Sequence, residues 1–333
     1  MDVTDHELRA AIAEGFDSLE LLKRYTTITM GPCQGRSCLT ASAELFALIT
    51  GRSLDELEAT TARPPAGPVS LGALAGDRRL EPRKETPLHH LHEGLGATFL
   101  WAGDWRRPYA YGDPEAEARA VRERVGIIDV STLGKFLVRG PDVVPFLERL
   151  YPSRVEDQPI GRIRYGVMVN EEGVIIDDGA IARLAEDTFY VTATTGNAAA
   201  IDRWISSWLA VWGLRVEVWN VTGGYAAINV AGPRAREVLA PLCEGGARLE
   251  DLPHLGVGST SIAGVEAIVL RLGFVGELAF ELHVPGGAAQ HVWEAISDAG
   301  VGFGIAPFGL EAQRILRLEK GHILIGQDTD AET

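Results

Sequence analysis

At 333 residues the chain is too long for one small core, and two or three folded units are expected. A formal net charge of −15 with no basic cluster excludes the electropositive face that a nucleic-acid partner would demand. No stretch approaches the ~20 apolar residues of a membrane span, and Met1-Asp2-Val3-Thr4-Asp5 lacks the basic-then-apolar pattern of a signal peptide.

Residues 1 to about 58 read as helical. Leu8, Ala11, Ile12, Phe16, Leu19 and Leu22 recur at helical spacing, with Asp5 as the expected cap ahead of them. The turn Gly31-Pro32-Cys33 breaks the pattern, and a second helix is expected over 39–48, ending at Gly51. Cys33 and Cys38 have the spacing of one half of an iron–sulfur site. A cluster needs four thiolates, and Cys243 lies far along the chain, so a half-supplied site is expected and no metal is assigned. So few cysteines point to a reducing compartment, with the cytoplasm as the expected location.

Thr61-Ala62-Arg63-Pro64-Pro65-Ala66-Gly67-Pro68 cannot be helix and reads as an extended linker. His89, His90 and His92 lack the spacing of a structural zinc site and are expected at the surface, at a domain entrance. There is no glycine-rich phosphate loop after a strand and no nucleophile elbow.

Beyond the linker, strands and helices mix, and the order repeats. Pro141 and Pro233 stand 92 positions apart, each after a strand and a glycine, at what is expected to be the first helical position. In the first copy the helix is expected to run to about 150, followed by strands 165–170, 174–184 and 188–192 and a helix over 197–212. In the second it runs to about 242, followed by strands 259–262, 265–272 and 277–284 and a helix over 288–299. This order predicts an α+β fold: two duplicated units, each an antiparallel sheet with helices on one face, with a cleft between them.

Two stretches offer carboxylates. Over 170–179 a strand, a turn at Glu172-Gly173 and a second strand lead to Asp177 and Asp178. Alternation lets only one of the pair point inward, where an aspartate must be bonded, paired or used for chemistry. On local grounds a turn aspartate capping nearby backbone is the favoured reading. Over 273–282, Glu277, Ala279 and Glu281 are expected on one strand face, forming a polar wall able to accept paired N–H donors such as a pterin offers. A solvated strand face is the alternative.

These residues resemble a known family. Thr86-Pro87-Leu88-His89, Trp105-Arg106-Arg107-Pro108, Val125-Gly126-Ile127-Ile128-Asp129-Val130-Ser131, 170–178, 276–281 and Leu316-Arg317-Leu318-Glu319-Lys320-Gly321 fall in the order of the glycine-cleavage aminomethyltransferases. Lys23-Arg24-Tyr25-Thr26-Thr27 and the segments around Cys33 and Pro64 are similar to the α subunits of heterotetrameric sarcosine oxidases, the whole chain matching their C-terminal half. The resemblance implies a ferredoxin-like helical remnant over 1–58, of the bacterioferritin-associated type, and a Pro-rich linker over 59–85. It further implies folate-binding subdomains over 86–224 and 225–333.

It implies that tetrahydrofolate lies between the subdomains, with Asp178 as the functional carboxylate and Asp177 its structural neighbour. Glu281 would hold the pterin edge, Leu133 and Tyr165 would line the pocket, and Tyr190 and Glu277 would complete the cofactor-binding set. Alternation is taken to agree, with Asp178 sharing an inward face with Val174 and Ile176. The implied activity is capture of the one-carbon unit of oxidised sarcosine, or a related N-methyl amine, as methylenetetrahydrofolate. A flavin-containing amine oxidase β subunit is the implied partner, with flavin and NAD on that partner or on regions outside this chain.

Three departures qualify the match. Gln313 stands where the family usually has arginine, so recognition of the folate tail is expected to differ. Both ends are expected to be cut, without an upstream nucleotide-binding region or a C-terminal β-barrel. Lys320-Gly321-His322 replaces the Lys-Gly-Cys of non-catalytic folate-binding proteins of the iron–sulfur repair type, which counts against that alternative. An inactive structural half is the remaining one.

Overall fold

Helical periodicity near the N-terminus resolves into three helices: α1 (Asp5–Ala13), α2 (Leu19–Thr26) and α3 (Leu39–Thr50). The structure, a computed structural model, describes residues 3–61, 68–76 and 83–333. Thr4, not Asp5, caps α1: its hydroxyl accepts from Glu7 N at 3.3 Å, and the Glu7 carboxylate accepts from Thr4 N at 2.7 Å. Gly15, at φ +103°, ends the first helical run, and the Ser18 hydroxyl accepts from Leu21 N to start α2. Leu8, Ala11, Leu19, Leu22, Ile28 and Phe46 form a small core of their own. A short helix α4 (Leu71–Ala75) begins after Ser70, within the stretch expected to be a linker, whereas 62–67 lie outside the described residues.

The chain divides into two compact units, Met1–Glu81 and Pro82–Thr333. The second opens with α5 (His89–Gly94), a hairpin of β1 (Thr98–Ala102) and β2 (Trp105–Ala110), α6 (Pro114–Glu123) and β3 (Val125–Asp129). A first repeat follows: β4 (Gly134–Arg139), α7 (Val143–Leu150), β5 (Ile163–Val169), β6 (Ile175–Ala185), β7 (Thr188–Ala193), α8 (Ala198–Trp212) and β8 (Glu217–Asn220). The second comprises β9 (Tyr225–Ala231), α9 (Ala235–Leu239), β10 (Cys243–Glu244), β11 (Val257–Ile262), β12 (Val265–Leu270), β13 (Ala279–Pro285), α10 (Ala289–Gly300), β14 (Ile305–Pro307) and α11 (Leu310–Lys320). No helix among the described residues is long and apolar enough to cross a membrane.

The duplication is present in the sheets. The five-stranded sheet runs β5-β6-β7-β4-β8, and the seven-stranded sheet runs β10-β11-β12-β13-β9-β3-β14, so β11-β12-β13-β9 repeats β5-β6-β7-β4. The fifth strand of each block is the one that leads along the chain into the other repeat. β3, which precedes the first repeat, pairs antiparallel with β9, while β8, which precedes the second, pairs antiparallel with β4. A division of the sequence at 224/225 therefore does not run between the sheets.

Gly140 and Gly232 occupy matching turns at φ +144° and +131°, where a Cβ would stand 2.3 Å from Arg215 O and 2.6 Å from Arg124 O. Pro141 and Pro233 lie in those turns rather than at the first helical position, since α7 starts at Val143 and α9 at Ala235.

The outer face of the small sheet packs Phe136, Val138, Phe189 and Val191 on α7 and α8. One face of the large sheet packs Ile228, Val230, Phe280 and Leu282 on α9 and α10. Each such fully buried side chain stabilises the fold by about 1.5–3 kcal/mol relative to exposure. The other face of the large sheet is shared. α6 and α11 cover Ile128, Ala227 and Ala279, while Ile268 and Leu270 meet Ile163, Ala182 and Tyr190 of the small sheet.

Candidate functional site

Asp177 and Asp178 leave β6 on opposite faces. Asp177 is 1% exposed on the helix side, where its carboxylate accepts from Thr194 N at 3.0 Å, Thr194 Oγ1 at 2.5 Å and Asn197 Nδ2 at 3.4 Å. Burial pushes its pKa up to about 6, against the pull of the Thr194 donors. Asp178 is half-buried on the inter-sheet face and accepts from the Tyr165 hydroxyl at 2.7 Å. Burial raises its pKa too, opposed by the Tyr165 bond.

Asp178 does not share its face with Ile176, which packs on the helix side. The reason is a bulge. Met168 pairs with Asp177 but Val169 pairs with Ile175, leaving Ile176 as the extra residue that breaks alternation. Beyond the bulge, Asp178 lines up with Ala180 and Ala182, opposite Tyr165 and Ile163 on β5 and Tyr190 on β7. Asp178 thus stands four residues, about 13 Å along the strand, from the Ala182–Tyr190 row.

That row meets the large sheet through a buried chain of polar groups. Tyr190 Oη lies 3.0 Å from His283 Nδ1, and His283 Nε2 lies 2.8 Å from Glu281 Oε1. Asn229 Nδ2 donates to Glu281 Oε2 across 3.5 Å, at the limit of a hydrogen bond. Tyr190 is opposite Leu137 on β4 and Glu281 is opposite Asn229 on β9, each three residues before the repeat glycine. The two side chains are repeat-related and face one another.

A second buried network supports the first. Asp129 accepts from Thr86 Oγ1 at 2.6 Å and Ser131 N at 2.8 Å, and His92 Nε2 lies 3.1 Å from it. Burial pushes Asp129 up, yet His92 and these donors hold it below its ordinary value. The fully buried Lys135 ammonium donates to Ser131 O at 2.7 Å and Leu133 O at 3.0 Å, which fixes the loop carrying Leu133. Burial lowers Lys135 to about 8, against the attraction of Glu281 and Asp129. Arg107 is buried, brought down to about 10 by burial, and its Nε has no partner among the described residues.

The structure brings together Tyr165 with Asp178, and Tyr190 with Glu281. Leu133 is half-buried against the core under α6 and α11. Glu277 is elsewhere: β13 begins only at Ala279, after Gly276 at φ +78°, and Arg122 Nη1 donates to Glu277 at 2.9 Å. A shared carboxylate wall of Glu277 and Glu281 is therefore not formed. His89 and His92 are buried rather than superficial, because α5 turns both toward Phe99 and Trp293, and His92 is held by Tyr111 and Asp129. Only His90 is exposed.

Cys33 is exposed and Cys38 half-buried in the turn before α3. Among the described residues no group of three or more His, Cys, Asp or Glu side chains could hold a metal ion. Sequence reading missed His283, Asn229 and Lys135. The polar residues 281 and 283 alternating within an apolar strand were the available signal for His283.

Residues 88–333 match the family model described as the GCVT N-terminal domain. The chain is also 37% identical over 250 residues to an aminomethyltransferase of Thermotoga sp. (strain RQ2), covering 75% of this chain and 68% of that one. The chain belongs to the aminomethyltransferase family. Its fold matches the crystal structure of glycine cleavage system aminomethyltransferase T from Bartonella henselae with a TM-score of 0.67 at 30% identity, over 74% of this chain and 65% of that one.

This aminomethyltransferase-family chain has a further likeness upstream, where residues 1–78 match the sarcosine oxidase A3 domain. The α subunit of sarcosine oxidase from Corynebacterium sp. (strain P-1) is 39% identical over 345 residues, covering 99% of this chain. The chain spans 36% of the length of that relative.

Proposed function

We propose that this chain captures the one-carbon unit of an oxidised N-methyl amine, such as sarcosine, on tetrahydrofolate, within a sarcosine oxidase-type assembly. The observation that carries the reading is the division of labour at 177–178. One aspartate is sequestered by Thr194 and Asn197, and its neighbour is left on the inter-sheet face with a single partner, Tyr165. Family membership and the sarcosine oxidase α likeness support it. Tetrahydrofolate, when bound, supplies the amine nitrogens that accept the one-carbon unit.

The chain's own residues fit that ligand. Glu281 Oε2 is a nearly buried carboxylate oxygen with one long donor, Asn229, so it has acceptor capacity left for the paired N–H groups of a pterin edge. Tyr165 holds Asp178 Oδ2, which leaves Oδ1 to take up and release a proton. The raised pKa brings Asp178 toward the working pH of a proton acceptor. Its charge stabilises a cationic imine, and the inter-sheet wall holds the reactants together, turning a bimolecular encounter into a local one. A flavin-bearing partner would perform the amine oxidation.

Asp178→Asn is expected to lower one-carbon capture at least about a hundredfold while changing folate affinity by less than about threefold. The measurement is methylenetetrahydrofolate formed per amine oxidised in the assembled complex, with free formaldehyde as the alternative product. Full capture by the variant would sink the assignment of Asp178.

A further inference from the structure

The mechanism above leaves the fully buried His283 without a role. His283 on β13 is 0% exposed, with Tyr190 Oη 3.0 Å from Nδ1 and Glu281 Oε1 2.8 Å from Nε2. Sheet register places it between Ile268 of β12 and Ala227 of β9, both apolar, so these two contacts account for its polar atoms.

The ends of the relay decide where its protons sit. Burial, and then the Glu281 charge, raise the pKa of Tyr190, so its hydroxyl stays protonated and can donate. An ionised carboxylate can only accept. The ring between them must then accept at Nδ1 and donate from Nε2, which is the neutral Nε2–H tautomer. An imidazolium would require Tyr190 to accept, leaving the phenol proton without an acceptor among the described residues.

We propose that His283 is a positioning residue: fixed by Tyr190 in its Nε2–H form, it orients the Glu281 carboxylate, with Oε1 engaged and Oε2 presented to the N–H donors of a pterin-type ligand. The ligand clause rests on the folate reading above; the tautomer does not. Tyr190 belongs to the small sheet and His283 to the large one, so the relay also makes the orientation of Glu281 depend on the register of both sheets.

Glutamine carries a donor where histidine has Nε2, whereas asparagine carries its polar atoms where histidine has Nδ1. In calorimetric titrations of the full chain with tetrahydrofolate, His283→Gln is expected within about threefold of the unsubstituted chain, and His283→Asn weakened at least about tenfold. Thermal melts of both variants establish that they fold. Unchanged affinity in both, or equal loss in both, overturns the positioning role and leaves His283 as a core side chain.

Nitrogen-15 NMR of the ring gives a second readout that needs neither ligand nor variant. A protonated Nε2 with an unprotonated Nδ1 is expected, while an imidazolium or the Nδ1–H tautomer overturns the proposal. If the chain fails to bind tetrahydrofolate but the ring shows the Nε2–H tautomer, the folate reading fails and the relay stands.

Discussion

At the scale of single residues, two adjacent aspartates acquire different properties from their surroundings. Asp177 is buried and its pKa is pushed to about 6, well above its ordinary 3.8. The fold therefore favours its neutral form. Its contribution to stability is complete below about pH 4 and is lost as the pH rises through 6, a swing of up to about 3 kcal/mol. Carboxylates held low, such as Asp129, act in the opposite direction, so the effect is read as a difference. Chemical denaturation of the native chain and of Asp177→Asn, followed from pH 4 to pH 7.5, should show the native chain losing stability relative to the variant. A difference that does not change with pH would contradict the assigned environment.

Asp178 was singled out by the family resemblance, and the alternation taken to agree with that choice is what the structure corrects. Strict alternation aligns it with Ile176, whereas the bulge at Ile176 puts the two on different faces. A bulge is decided by pairing with β5 and by the Thr194 donors to Asp177, neither of which local periodicity carries. His283 was missed for the same kind of reason: its partner Tyr190 is 93 positions away, on another sheet.

At the scale of elements, the segment that aims Asp178 depends on its next residue. A Cβ at Gly179 would stand 1.9 Å from Thr192 O, and the following amide, Ala180 N, bonds the Thr192 hydroxyl instead of a ladder carbonyl. The absence of a side chain lets β6 lie against β7 at this point and sets the position of Asp178. Gly179→Ala must push the strands apart; it is expected to destabilise the chain by about 2–3 kcal/mol in denaturant titrations and to lower one-carbon capture along with it. A variant as stable and as active as the parent would show that the close approach is not needed.

The helices and strands themselves were largely legible. Apolar spacing found α3 and α8, and the Gly-Pro pair found the two repeat turns, because a positive φ against neighbouring backbone admits only glycine. The break between α1 and α2 was passed over, since Leu8 through Leu22 keep helical spacing across Gly15.

At the scale of the whole second unit, the exchange of β3 and β8 interlocks the two sheets. Each sheet is completed by a strand that leads along the chain into the other, so the wall carrying Asp178 and the wall carrying Glu281 are tied covalently through the β3–β4 and β8–β9 connections. No sequence pattern announced this exchange, because β3 (Val125-Gly126-Ile127-Ile128-Asp129, buried) and β8 (Glu217-Val218-Trp219-Asn220, largely exposed) share no common signal and pairing across sheets is a long-range choice. In the proposed function, its consequence would be to limit how far Asp178 and Glu281 can move apart.

The central claim is that this framework is a tetrahydrofolate site read by Glu281. Calorimetric titration of the full chain with tetrahydrofolate tests it most directly, comparing the native chain with Glu281→Gln. Replacing the carboxylate by an amide puts a donor where the ligand's N–H groups need an acceptor, so saturable one-to-one binding is predicted for the native chain and affinity at least about tenfold weaker for the variant. No binding by the native chain, or equal binding by both, would contradict the account.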